Sequence, residues 1–141
     1  MKRPPRDERG SISIWLALSA FVMMMLVGIA VDLGGQVHAK QRAHDIAAEA
    51  ARTGGEQVQA APAIQGDYVA VNPIAARHAA EAYLATSGVS GTVTITGGDT
   101  ITVHVTDTYR PKFLSFIGIG DLSVSSQASA RLIRSLGGNE R

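Results

Sequence analysis

The stretch from Ser11 to Gly35, SISIWLALSAFVMMMLVGIAVDLGG, constrains this chain more than any other. From Ile12 to Val31, twenty consecutive residues carry no charge and no proline, and one glycine. Twenty α-helical residues rise about 30 Å, which is the thickness of the hydrocarbon core of a bilayer. A helix that is apolar on every side must be buried all round, and a chain of 141 residues has little else to bury it in. The stretch therefore reads as a membrane-spanning helix, with the rest of the chain presented on one side of the membrane.

The residues before it, MKRPPRDERG, place Lys2, Arg3, Arg6 and Arg9 against the apolar run, and Pro4 and Pro5 stop a helix from starting earlier. Positive charge beside a first helix holds that flank in the cytoplasm, although Asp7 and Glu8 offset it and Lys40 and Arg42 oppose it from the far side. The expected organisation is a cytoplasmic basic leader over 1–10, a transmembrane helix over 11–35 and an extracytoplasmic domain over 36–141. A cleaved secretory signal is the lesser reading, because such signals have apolar cores of about 7–15 residues ending at a small-residue cleavage site. Here the run is longer and flows into a second helical pattern.

Asp32 stands at the far end of the span. Near the interface its carboxylate reaches water, whereas deeper it requires partners. It is either a boundary marker at the membrane exit or one half of an ion pair in an assembly.

Residues 36–53, QVHAKQRAHDIAAEAART, are rich in helix formers, and Ala39, Ala43, Ile46, Ala47 and Ala50 recur at spacings of three and four. This small-residue stripe lets a sheet or a neighbouring helix approach closely. Gly54-Gly55 should end the helix, and Gly34-Gly35 is a candidate hinge within it. Residues 56–71 carry Pro62 and Gly66 without periodicity and read as a loop.

Asn72-Pro73 is a helix start, and the helix should run to Gly88 with Ala76, Ala79, Ala80, Tyr83 and Leu84 facing inward and His78 and Glu81 paired outside. Thr92–Thr96 and Thr100–Asp107 alternate apolar and polar residues around Gly97-Gly98-Asp99, the signature of a β-hairpin. A last strand follows, with Leu122, Val124, Ser126, Ala128, Ala130 and Leu132 on its inner face, and the tail SLGGNER is expected to be mobile. Between the hairpin and that strand, Phe113, Leu114, Phe116 and Ile117 form the strongest apolar cluster outside the span. Aromatics are only 5% of the chain, so a core role is the first expectation for this cluster. A second membrane contact, or a plug into a partner subunit, is the alternative.

Composition excludes several function classes. The net charge of +1 gives no electrostatic footprint for nucleic acid, and the absence of cysteine removes disulfides, thiol catalysis and thiolate metal sites. His38 and His44 point to well-separated directions around a helix, His104 falls on the outer face of its strand, and neither HExxH nor GxSxG occurs. No catalytic residue, metal or other cofactor is expected.

The stretch RGSISIWLALSAFVMMMLVGIAVDLGGQVHAKQRAHDIAAEAARTG resembles the N-terminal region of TadE/TadG-like proteins, minor pilins or pseudopilins of the tight-adherence branch of type IV pili. The resemblance rests on Arg9-Gly10, the apolar helix, the exit Ala30-Val31-Asp32-Leu33-Gly34 and the alanine-rich helix ending at Gly54. The closing SVSSQASARLIR is similar to the family's last strand more loosely. The resemblance implies a pilin-like α+β fold, a long N-terminal transmembrane helix packed on a small antiparallel β-sheet. It also implies structural assembly with other pilins or pilus assembly proteins, and a prepilin peptidase acting between Gly10 and Ser11. One residue departs from the pattern. Processed pilins of this kind usually carry Glu five residues after the cut, where this chain has Trp15. Two rival readings follow, an uncleaved membrane-anchored assembly factor and an envelope-anchored adhesion module that binds through 56–71 or Phe113–Ile119.

Overall fold

The computed structural model describes residues 9–57, 72–132, 135–136 and 139–140. The leader up to Glu8, most of the loop expected over 56–71 and part of the C-terminal tail lie outside the described residues.

Helix α1 runs unbroken from Arg9 to Gly55, 47 residues. Gly34-Gly35 does not hinge it. Strong helix formers follow the pair, and Gly35 is where another side chain crosses the helix. Two regimes succeed each other along α1. In the apolar half the side chains have almost no cover, with Trp15 68% and Met24 71% exposed. From Ala39 onward one face is covered, and Ala43, Ala47, Ala50 and Ala51 are fully buried. Gly54-Gly55 end the helix as expected.

Helix α2, Pro73–Ser87, begins as the sequence dictates. The Asn72 side-chain oxygen accepts from the N–H groups of Ile74 and Ala75 at 3.0 and 3.3 Å, and Pro73 fills the first position, where no N–H is needed. Gly88 closes the helix with φ of 69°. Ala76, Ala80 and Leu84 are buried, with Tyr83 packed beside them. Glu81 accepts from the Arg77 guanidinium at 3.1 Å, the favourable four-residue spacing, in place of the expected pairing with His78.

Strands β1 (Ser90–Thr96), β2 (Thr100–Tyr109) and β3 (Leu122–Arg131) form one antiparallel sheet in that order. The hairpin turn places Gly97 and Gly98 at φ of 67° and 74°. Alternation sets the register: Val93 faces Val103, while Ile101 and Val103 face Ala130 and Ala128. Both helices cover the same face of the sheet. Ile101, Val103, Val105 and Leu132 bury against the alanines of α1 and α2. The small inner residues of β3 allow α1 to lie close, and the alanine stripe is therefore spent inside the protomer. The opposite face, including His104, Thr106, Ser125 and Gln127, is polar and exposed. In the tail, β4 (Ser135–Leu136) pairs with β5 (Asn139–Glu140) where no regular structure was expected.

The expected core role of the Phe113–Ile119 cluster is not what the fold uses. Phe113, Phe116, Ile117 and Ile119 are all exposed within the protomer, Phe116 at 87%. The aliphatic side chains of β2 and the two helices already close the core. The β2–β3 connection instead leaves the sheet and runs back along α1 towards its N-terminus, with Leu114–Ile117 as a 3-10 turn, η1.

Candidate functional site

β2 runs antiparallel to α1, and three of its inward positions mark its course down the helix. Ile101 packs where α1 ends, against Gly54. The Asp107 carboxylate lies 3.6 Å from the Arg42 guanidinium. Tyr109 then crosses α1 at Gly35, where any Cβ would collide with the phenol ring. Past Tyr109 the chain leaves the sheet, bends at Lys112 and Phe113 and meets Asp32.

Asp32 is the one charged residue buried among the described residues, at 1% exposure. One carboxylate oxygen accepts from the Tyr109 hydroxyl at 3.1 Å and from the Lys112 N–H at 2.7 Å. The other accepts from the N–H groups of Phe113 and Leu114 at 2.8 and 2.6 Å. Three consecutive backbone donors and a phenol thus surround one carboxylate, and no cation lies within salt-bridge distance of it among the described residues. A buried carboxylate is tolerated when its lone pairs are met by donors, and ionic hydrogen bonds of this length are the strong kind. Partial burial, then the hydrogen bond to Asp32 and its negative charge, hold the Tyr109 phenol above its ordinary pKa. A tyrosinate there would face a second anion.

Immediately N-terminal, Phe113 lies on Gly28, where an added Cβ would come within 2.9 Å of its side chain. Gly28, Asp32 and Gly35 are spaced four and three apart and so share one face of α1. That face is a low-bulk strip with one anion at its centre, and the β2–β3 connection lies along it. Beside Phe113, an apolar groove of about 370 Å³ opens between Phe21, Met24 and Met25 of α1 and Leu114, Phe116 and Ile117 of the connection.

The other residues singled out from the sequence fall in three places. The backbone of Gly10 and Ser11 is already helical at the start of α1. Ala43, Ala47 and Ala50 are fully buried in the protomer core and Ile46 packs beside them, while Ala39 is half-buried. Phe113 and Leu114 belong to the Asp32 bracket, while Phe116 and Ile117 project from it. Neither sequence reading of Asp32, boundary marker or intersubunit ion pair, anticipated donors from the backbone of its own chain. The signal that was available is the Gly28-Asp32-Gly35 spacing, an acid between two glycines on an otherwise bulky helix.

Residues 10–52 match the family model described as TadE-like protein. The N-terminal segment is TadE-like. This TadE-like segment takes in the apolar half of α1, Asp32 and the buried alanine stripe. All four donors to Asp32 come from outside it. No curated protein and no solved structure matched the chain. The TadE-like segment covers most of the one helix, among the described residues, long and apolar enough to cross a membrane.

Proposed function

We propose that the protein is a structural subunit, a minor pilin or pseudopilin, of a tight-adherence type IV pilus or a related secretion apparatus. The observation that carries this reading is the coincidence of the TadE-like match with a helix whose apolar half finds almost no cover in its own fold. That surface must be covered by lipid, or by other helices in a filament.

In this reading residues 11–35 cross the membrane, the leader faces the cytoplasm and the sheet is presented outside. Assembly runs through the apolar half of α1, because the alanine stripe is already occupied by the protomer's own sheet. Moving from lipid to a helical bundle gains little hydrophobic energy, so side-chain packing supplies the specificity. Other pilins or pilus assembly proteins are the partners, and prepilin peptidase cutting between Gly10 and Ser11 would release the subunit.

A second reading is an uncleaved, membrane-anchored assembly factor. Trp15 favours it, standing where processed pilins usually carry Glu. Intact mass of the protein from its native host separates the two, measured in the membrane fraction and in sheared surface material. Loss of residues 1–10 supports the pilin role. Retention of Met1 or Lys2 onward in both fractions supports the anchored factor.

A further inference from the structure

We propose that the β2–β3 connection is itself a membrane element, a wedge whose Phe113, Phe116 and Ile117 enter the acyl region of the leaflet next to the folded domain. The inference rests on the membrane-anchored reading of α1 and adds a second point of insertion to it.

Depth is the first argument. Phe113 sits on Gly28, and the groove below it reaches Met24 and Phe21. At a rise of about 1.5 Å per residue, these positions lie roughly 6–16 Å inside Asp32 along the helix. If Ile12–Val31 spans the bilayer, the wedge lies within its outer half. Phe116 and Ile117 are then at the depth where α1 exposes only apolar side chains.

The second argument is the state of the backbone. An exposed loop in water leaves its peptide groups to the solvent, whereas hydrocarbon requires each to be paired within the protein. In this connection the N–H groups of Lys112, Phe113 and Leu114 go to Asp32. Those of Phe116, Gly118 and Ile119 go to the carbonyls of Phe113, Ser115 and Leu114. Pro111 has none to satisfy, and the Ser115 hydroxyl donates to the Lys112 carbonyl. Asp32 thus supplies acceptors for donors at the entry of the 3-10 turn that would otherwise need water.

Charge placement is the third. Arg110 and Asp121 pair at 3.5 Å across the base of the connection, and Lys112 is exposed nearby, while residues 113–119 between them carry no charge. A charged base with an apolar tip is the polarity of an interfacial anchor.

The chain has no cysteine, so single labelling sites are clean. Full-length Phe116→Cys, Ser125→Cys and Met24→Cys variants, each carrying an environment-sensitive fluorophore, are reconstituted in phosphatidylcholine–phosphatidylglycerol vesicles. Each is quenched with lipids brominated along the acyl chain and, separately, with aqueous iodide. Phe116 and Ser125 are exposed, so neither change disturbs the fold. The expected result is that the label at 116 loses most of its emission to brominated lipid and little to iodide, as at 24, while the label at 125 responds to iodide. Iodide quenching at 116 with lipid quenching at 24 overturns the wedge and leaves the anchor standing. Iodide quenching at both overturns the anchor with it. Protection at 116 from both quenchers overturns lipid as the occupant and assigns the wedge to a protein contact.

Discussion

The Leu114 N–H and the Asp32 carboxylate are 82 positions apart in sequence and 2.6 Å apart in space. Together with the bonds from Lys112, Phe113 and Tyr109, this contact ties the end of the apolar stretch of α1 to the far end of the sheet. Without it, the sheet would hold α1 only through the face that begins at Ala39.

Replacing Asp32 by Asn keeps the shape but removes the charge and turns an NH2 group towards backbone donors. At least one buried N–H then loses its acceptor, and the remaining bonds lose their ionic character. Asp32→Asn should destabilise the protein by roughly 2–4 kcal/mol. Thermal unfolding in detergent micelles, followed by circular dichroism, reads this directly. Faster amide exchange at 112–114 should accompany the loss, and an unchanged midpoint would count against the bracket.

The paired glycines should respond in opposite directions. A Cβ at Gly34 meets nothing, so Gly34→Ala should gain up to about 1 kcal/mol of helix propensity. A Cβ at Gly35 collides with the Tyr109 ring, so Gly35→Ala must displace the phenol from Asp32 and lower the melting temperature. Equal effects at the two positions would mean that Tyr109 does not cross the helix there.

Ala47 is fully buried against the protomer's own core. Ala47→Leu should therefore cost about 1–3 kcal/mol by overpacking, in the isolated monomer and before any assembly. A variant that melts normally in detergent yet fails to assemble would relocate the stripe to an intersubunit contact.

Because the Tyr109 pKa is raised in the folded protein, its neutral form contributes stability that is fully present below the ordinary value of 10 and is lost as pH rises through the folded value. The wild-type melting temperature should fall across that alkaline range, and Tyr109→Phe should flatten the fall. Parallel pH profiles for the two proteins would show that the phenol proton is not coupled to folding.

Much of the architecture was legible because its causes are local. The cap at Asn72-Pro73, the alternation in both strands of the hairpin and the two-glycine turn each express the geometry of a few adjacent residues. So does the spacing of Ala43, Ala47 and Ala50, although it marks only a close approach and not what approaches. The aromatic cluster at 113–117 was harder to read, since the same composition serves a core, an interface or a membrane. Burial is a property of what surrounds a segment, and the aliphatic strands had already filled the core.

The sequence by itself determined that an apolar helix must leave water, that it continues into an alanine-faced helix, and that a small antiparallel sheet follows. These follow from hydropathy and period, which neighbours along the chain impose on one another. Only the tertiary structure decided that the sheet takes up the alanine stripe and that the β2–β3 connection turns back along the apolar half of α1. It also decided the partners of Asp32. A carboxylate at the end of an apolar helix must find donors, but which donors is a matter of distance in space. Here three of the four came from backbone N–H groups about 80 residues away, which every residue but proline carries and no side-chain pattern reveals.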